Sequence, residues 1–141
     1  MARNPRSKTL VTWLAVVGGA LGLHRLYLHG WSDRWAWVHL PPALAGLVGV
    51  IRMRELGQDD RWAWLLTPLL GLAISAGMLA AIVHALTTDE RWQQRWHPDQ
   101  PVVPTGWAPV LGAITALLLG GGVLIGTIAF AGQRYFEWSA S

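Results

Sequence analysis

The chain has 141 residues, 52% of them hydrophobic and 13% charged, with ten tryptophans and no cysteine. That length holds one compact domain or a short helical bundle; the apolar share excludes a disordered tail, and 16 Gly with 8 Pro exclude a simple coiled coil. Disulfides and thiolate chemistry are ruled out, and a net charge of +3 spread along the chain makes no nucleic-acid stripe, although it suits a protein facing anionic lipid.

Four stretches lack Asp, Glu, Lys and Arg: residues 9–24, 35–51, 62–88 and 101–133, the last densest over 109–131. None shows the polar face that recurs every three to four residues in a soluble helix. The expected fold is therefore an all-α integral membrane protein, a small bundle of about four transmembrane helices. Its parts are an N-terminal hairpin over residues 1–55 and two further spans over 56–141, joined by a Pro-containing connection at 87–108.

In the first block, residues 9–23 reach about 22 Å as a helix, short of a hydrocarbon core of about 30 Å. Continuing through Leu28 gives 20 residues and brings Arg25 to headgroup depth, where its stem can snorkel. Arg3, Arg6 and Lys8, an apolar run at 10–17 and small residues at Gly18 and Ala20 also have the layout of a cleaved signal peptide. The three apolar blocks that follow favour a span.

The second block, 35–51, reaches about 26 Å, while 62–86 and 109–131 reach about 37 and 35 Å and can cross. Tryptophans cluster at the block ends. Trp35, Trp37, Trp62, Trp64 and Trp92 are read as interfacial anchors, because an indole ring with one donor favours the headgroup layer. Trp13 does not fit that belt. Summed over alternate sides of a four-span chain, Lys and Arg number seven against four. The richer side holds both termini, which are expected to be cytoplasmic in a bacterial inner membrane.

Asp33-Arg34-Trp35-Ala36-Trp37-x-x-x-Pro41 recurs as Asp60-Arg61-Trp62-Ala63-Trp64-x-x-x-Pro68. An acidic residue before a helix favours its N-terminus, and a proline a turn and a half later bends it. The two copies read as two helix starts solved with the same chemistry. Gly18-x-x-x-Gly22, Ala73-x-x-x-Gly77 and Gly122-x-x-x-Gly126 have the spacing that lets helix backbones approach.

Catalytic signals are lacking. No His-x-x-x-His pair with a Glu is present, Ser75 is not in a nucleophile elbow, and Lys8 is the only lysine, so no phosphate-loop lysine follows a glycine run. No catalytic residue, metal or cofactor is expected. His39 and His84 lie within or near spans and read as interfacial, hydrogen-bonded histidines. An alternative makes them, with the Pro-broken spans at Pro41 and Pro68, the lining of a path in a small transporter or channel subunit.

The densest local pattern runs from Gly18 to Gly30. Glycines let the first helix pack closely, His24 and Arg25 meet the interface, Tyr27 lies between leucines and Gly30 permits a turn. Arg25 has the chemistry to hold a lipid phosphate or cap carbonyls. With Lys8 before it, this stretch resembles the TM-two domain family, whose members share a lysine, a glycine-rich first span and a Gly-x-His-Arg-Phe-Tyr-x-Gly-like linker. Gly22, His24, Arg25, Tyr27 and Gly30 match, Leu26 replaces the phenylalanine, and His29 adds a residue before the glycine. The family's acidic residue at the end of the second span has only Glu55 as a candidate. The resemblance covers about residues 8–55 and implies a membrane-embedded helical hairpin without a common chemistry.

The expected function is that of a non-enzymatic membrane packing, interaction or regulatory module, with Gly18 and Gly22 as a contact face. Its expected partners are the lipid bilayer and either a second copy or another membrane protein, not nucleic acid.

Overall fold

The computed structural model describes residues 6–140, so Arg3 lies outside the described residues. These are all helix and connection, with no strand among them. In chain order they form α1 (Lys8–Gly18), a 3-10 turn (Gly19–Leu21), α2 (Leu23–His29), α3 (Arg34–Trp37), α4 (Leu40–Leu56), α5 (Arg61–Leu86), α6 (Asp89–Trp96) and α7 (Ala108–Ser139). Among them, three segments are long and apolar enough to cross a membrane: Arg34–Leu56, α5 and α7. The first block gives only a shorter apolar helix, Lys8–Leu21.

Small residues build the core. Ala15, Met78, Ala81 and Ala116 are buried together. Gly19 abuts the backbone of Gly77, Gly46 that of Leu70, and Gly49 that of Thr67, while Gly120 meets Met78 and Gly112 meets Thr12. An added Cβ at any of these glycines would overlap its neighbour, so backbone proximity and dispersion hold the seams. The bulky residues turn outward instead: Leu117, Leu118, Ile125 and Ile128 are exposed. Only 22%, 22% and 17% of the most apolar windows of the three long segments are buried within the chain. The remaining surface requires lipid or another apolar partner.

The same contacts set direction. Gly46–Leu70 and Gly49–Thr67 make α4 antiparallel to α5, and Gly120–Met78 with Gly71–Thr127 make α7 antiparallel to it as well. Helix α1 takes the half of α5 that α4 leaves open. It runs parallel to α7, with Thr12 at Gly112, and antiparallel to α5, with its end at Gly77. Gly77 is nine residues from the end of α5, roughly 14 Å along the helix. Helix α1 therefore stops about a third of the way along α5, a distance near half of a hydrocarbon core of about 30 Å.

Continuation of the first block through Leu28 as one helix does not occur. Glycine is costly inside a helix, and here three of them, Gly18, Gly19 and Gly22, end it. Gly22 is left-handed at φ 76°, with Ala36 O against the position of its missing Cβ. A side chain would be strained and would clash. From there α2 turns back along α1: Leu23 covers Gly18, Leu28 packs on Val11, and Tyr27 Oη accepts from the Ser7 N–H at 3.0 Å. Both ends of this hairpin lie at the same end of the bundle, beside Trp92 and Trp96 of α6. Gly18 and Gly22 are buried in the chain's own turn and do not form an outward contact face.

The two Asp-Arg-Trp-Ala-Trp copies do start helices. Asp33 accepts from Trp35 N and Asp60 from Ala63 N. The likeness extends upstream of the motif, because Arg25 pairs with Asp33 and Arg52 with Asp60, each eight residues apart. Gly30 and Gly57, each three residues before the aspartate, share φ near 85–89°. The prolines differ between copies. Pro41 falls in the first turn of α4, after a break at Val38 and His39, whereas Pro68 lies inside α5.

Candidate functional site

The hairpin's return, the α5 end and α6 enclose a cavity of about 420 Å3. Each wall is placed by local chemistry. Thr88 caps α6 by accepting from Arg91 N, Asp89 and Glu90 occupy the first turn where the helix dipole favours acids, and Arg95 sits in the last turn. Trp92 and Trp96, one turn apart, face inward onto Val11, Leu28 and Tyr27. Trp92 Nε1 also donates to Arg6 O at 2.9 Å, and its ring is buried. It serves as an internal strut, unlike Trp35, Trp37 and Trp62, which are exposed. Trp64 is half-buried.

Three histidines that are far apart in sequence converge here. His24 has its ring 5.6 Å from that of His39 and 5.7 Å from that of His84. His39 Nδ1 is 2.9 Å from Trp35 O. His84 stacks edge-on to Trp92 at 6.1 Å. His24 is 3% exposed, and its Nδ1 has no hydrogen-bond partner among the described residues. Among those residues no group of three or more His, Cys, Asp or Glu is arranged to hold a metal.

Arg25, His29, Arg91 and Arg95 stand nearer the α6 end of the cavity, and Leu79, Ala80 and Ala76 line its depth. From Thr87 to Ala76 the wall descends eleven residues of α5, about 16 Å. Arg25 neither caps α1 nor stands free: its Nε donates to Asp33 Oδ2 at 2.9 Å, with His29 Nδ1 3.7 Å from the same oxygen. Burial would raise the Asp33 carboxyl, but the Arg25 hydrogen bond and the Trp35 N–H hold it below the usual carboxylate range. Tyr27 and Gly30 shape the hairpin and its exit without lining the cavity.

A clasp closes this end. Lys8 Nζ meets Asp89 Oδ1 at 2.8 Å, and Asp89 also accepts from Thr105 N and Oγ1. Trp13, outside the expected belt, donates from Nε1 to Ala108 O at 3.2 Å and ties α1 to the start of α7.

Sequence reading brought His24, Arg25 and Tyr27 together but missed Asp89, Arg91 and Arg95, and it placed His39 and His84 without His24 between them. Spacing alone carried no sign of that convergence. The Arg–Asp pairs did leave one: an arginine and a glycine recur upstream of both motif copies at the same 27-residue offset. No family model matches the chain, and no curated protein or solved structure matches it, so the geometry of the pocket alone carries its functional reading.

Proposed function

We propose that the chain is a non-enzymatic integral protein of the bacterial cytoplasmic membrane, a binding and interaction module with three spans and one half-depth hairpin. The observation that carries this is the return of α2 to the end of the bundle where α1 begins, which encloses a pocket beside α6. On that architecture Arg6, Lys8, Arg25, Arg34, Arg91 and Arg95 share one face, against Arg52, Arg54, Arg61 and Arg134 on the other. The richer face is cytoplasmic by the charge rule. It holds the N-terminus, while the C-terminus lies across the membrane. The TM-two-like residues Gly22, His24, Arg25, Tyr27 and Gly30 agree with a membrane-embedded hairpin and add no chemistry.

A conducting path through His39 and His84 is the rival. Both histidines flank His24 in the half of the bundle near α6. Beyond them the α4–α5 seam closes at Gly46–Leu70 and Gly49–Thr67, and the groove from His39 is lined by Leu69, Leu72 and Ala73. A seam this tight and apolar favours binding over conduction. Reconstituted vesicles carrying a proton gradient test the choice between pH 5 and 8, where histidine changes charge. The gradient is expected to decay as in empty vesicles; faster decay that vanishes in His84→Leu would replace the binding module with a pathway.

A further inference from the structure

The pocket beneath α6 is cationic at one end and greasy at the other. Arg25, His29, Arg91 and Arg95 line the outer part, and among the described residues no carboxylate lines it with them. Asp33 lies behind Arg25 and neutralises that one guanidinium, while Arg91 and Arg95 are exposed. Deeper in, Leu79, Ala80 and Val83 give an apolar wall, and Trp92 and Trp96 form the side toward α6. His24 also lines the pocket, but it is 3% exposed and its Nδ1 is sealed from the pocket space.

We propose that this pocket binds an anionic membrane lipid, with its phosphate between Arg91 and Arg95 and the start of an acyl chain along Leu79 and Val83. The chemistry follows the lining: two guanidiniums offer forked donors to a phosphate, and the apolar wall accepts a chain. A volume of about 420 Å3 is within the ordinary range for ligand pockets, about 300–1,000 Å3, and takes a headgroup and the chain's beginning, with the rest left in the bilayer. The lateral position at the headgroup end suits a molecule that arrives within the membrane.

This inference rests on the membrane reading above, and its test separates the two. The protein is purified in a neutral detergent and titrated with dioleoyl phosphatidic acid, dioleoyl phosphatidylcholine or inorganic phosphate, with occupancy read by native mass spectrometry. Phosphatidic acid is expected to bind about tenfold more tightly than phosphatidylcholine. The preference is expected to disappear in the double variant Arg91→Gln, Arg95→Gln. Arg34→Gln removes a charge outside the pocket and is expected to change nothing. Unfolding temperature is measured on each variant, and the exposed position of the arginine pair keeps the double variant folded. Equal retention of the two lipids, or an unchanged preference in the double arginine variant, overturns the site. Inorganic phosphate that displaces phosphatidic acid at equal concentration overturns the lipid class. A chain that is soluble and monomeric without detergent overturns the membrane reading instead.

Discussion

Lys8 and Asp89 are 81 residues apart in sequence and 2.8 Å apart in space, Nζ to Oδ1. The contact joins the start of the half-depth hairpin to the first turn of α6, and Asp89 extends it to Thr105 ahead of α7. Burial would raise the Asp89 carboxyl, but the bonds from Lys8 and Thr105 outweigh it and hold the group below the usual carboxylate range. The lysine side chain is 7% exposed and the aspartate 24%, which puts the pair between a surface bridge and a buried one.

Removing one partner leaves the other charge poorly solvated. Lys8→Met is therefore expected to lower unfolding stability by about 2 kcal/mol, less than for a fully buried pair. Asp89→Asn is expected to cost a similar amount, and the double variant less than the sum of the two, because the groups act as one unit. Denaturant titration in detergent micelles, followed by tryptophan fluorescence, measures the cycle. Strict additivity of the two losses would show that the contact does not couple the hairpin to α6.

The second copy of the Arg–Asp arrangement predicts an acid limb. Arg52 donates to both Asp60 oxygens, at 2.8 and 3.0 Å, and these bonds outweigh burial to lower the Asp60 carboxyl. A carboxyl whose folded pKa lies below its unfolded value adds stability above the unfolded value, near 3.8. That contribution is lost as pH falls through the lower, folded value. The unfolding temperature is expected to be insensitive to this group from pH 5 to 7 and to fall below about pH 4. In Asp60→Asn the midpoint is lower at neutral pH and the acid fall is shallower. An acid limb of unchanged depth in the variant would assign it to other carboxyls.

Glycines of similar sequence context have opposite tolerance. Gly22→Ala meets a left-handed backbone and the Ala36 carbonyl, and is expected to cost about 2 kcal/mol or more from the backbone conformation together with the overlap. Gly122→Ala meets nothing within 4 Å among the described residues and is expected to fall within about 0.5 kcal/mol of the parent. Thermal unfolding of the two variants side by side checks this. Equal effects would remove Gly22 from the turn.

Much of this fold was legible because lipid solvation writes long apolar blocks into sequence. The 62–88 block became α5, and 109–131 lies inside α7, since both exceed the bilayer and carry no interior charge. Asp33 and Asp60 were readable as helix starts because capping is local chemistry. The half-depth hairpin was not. A 20-residue apolar count cannot distinguish a helix that continues from one that reverses, and the reversal depends on the left-handed Gly22 and on the landing of Leu28 against Val11. The Gly-x-x-x-Gly spacing marked close approach without naming the partner: Gly18 meets Leu23 of its own hairpin, whereas Gly122 and Gly126 face outward. Trp92 looked like its exposed counterparts until α6 folded it against α1. His24, His39 and His84 come from three helices, and only tertiary packing brings such residues together.

Because the chain has no cysteine, single-cysteine labelling can locate each connection without a background. Ser7 is the deciding position. A first helix that crossed the membrane would put Ser7 on the side of Gln58 and Ser139, opposite Trp31 and Gln100. A hairpin that enters and returns puts Ser7 with Trp31 and Gln100, as the Tyr27–Ser7 and His29–Trp96 contacts require. In intact cells, a membrane-impermeant maleimide is expected to reach Gln58→Cys and Ser139→Cys from outside. Ser7→Cys, Trp31→Cys and Gln100→Cys are expected to react only after the membrane is opened, on the proposed orientation that puts the arginine-rich face in the cytoplasm. Labelling of Ser7→Cys together with Gln58→Cys would restore a fourth span. The end of α2 would then lie across the bilayer from the start of α1, and the pocket beneath α6 would lose the wall that carries His24.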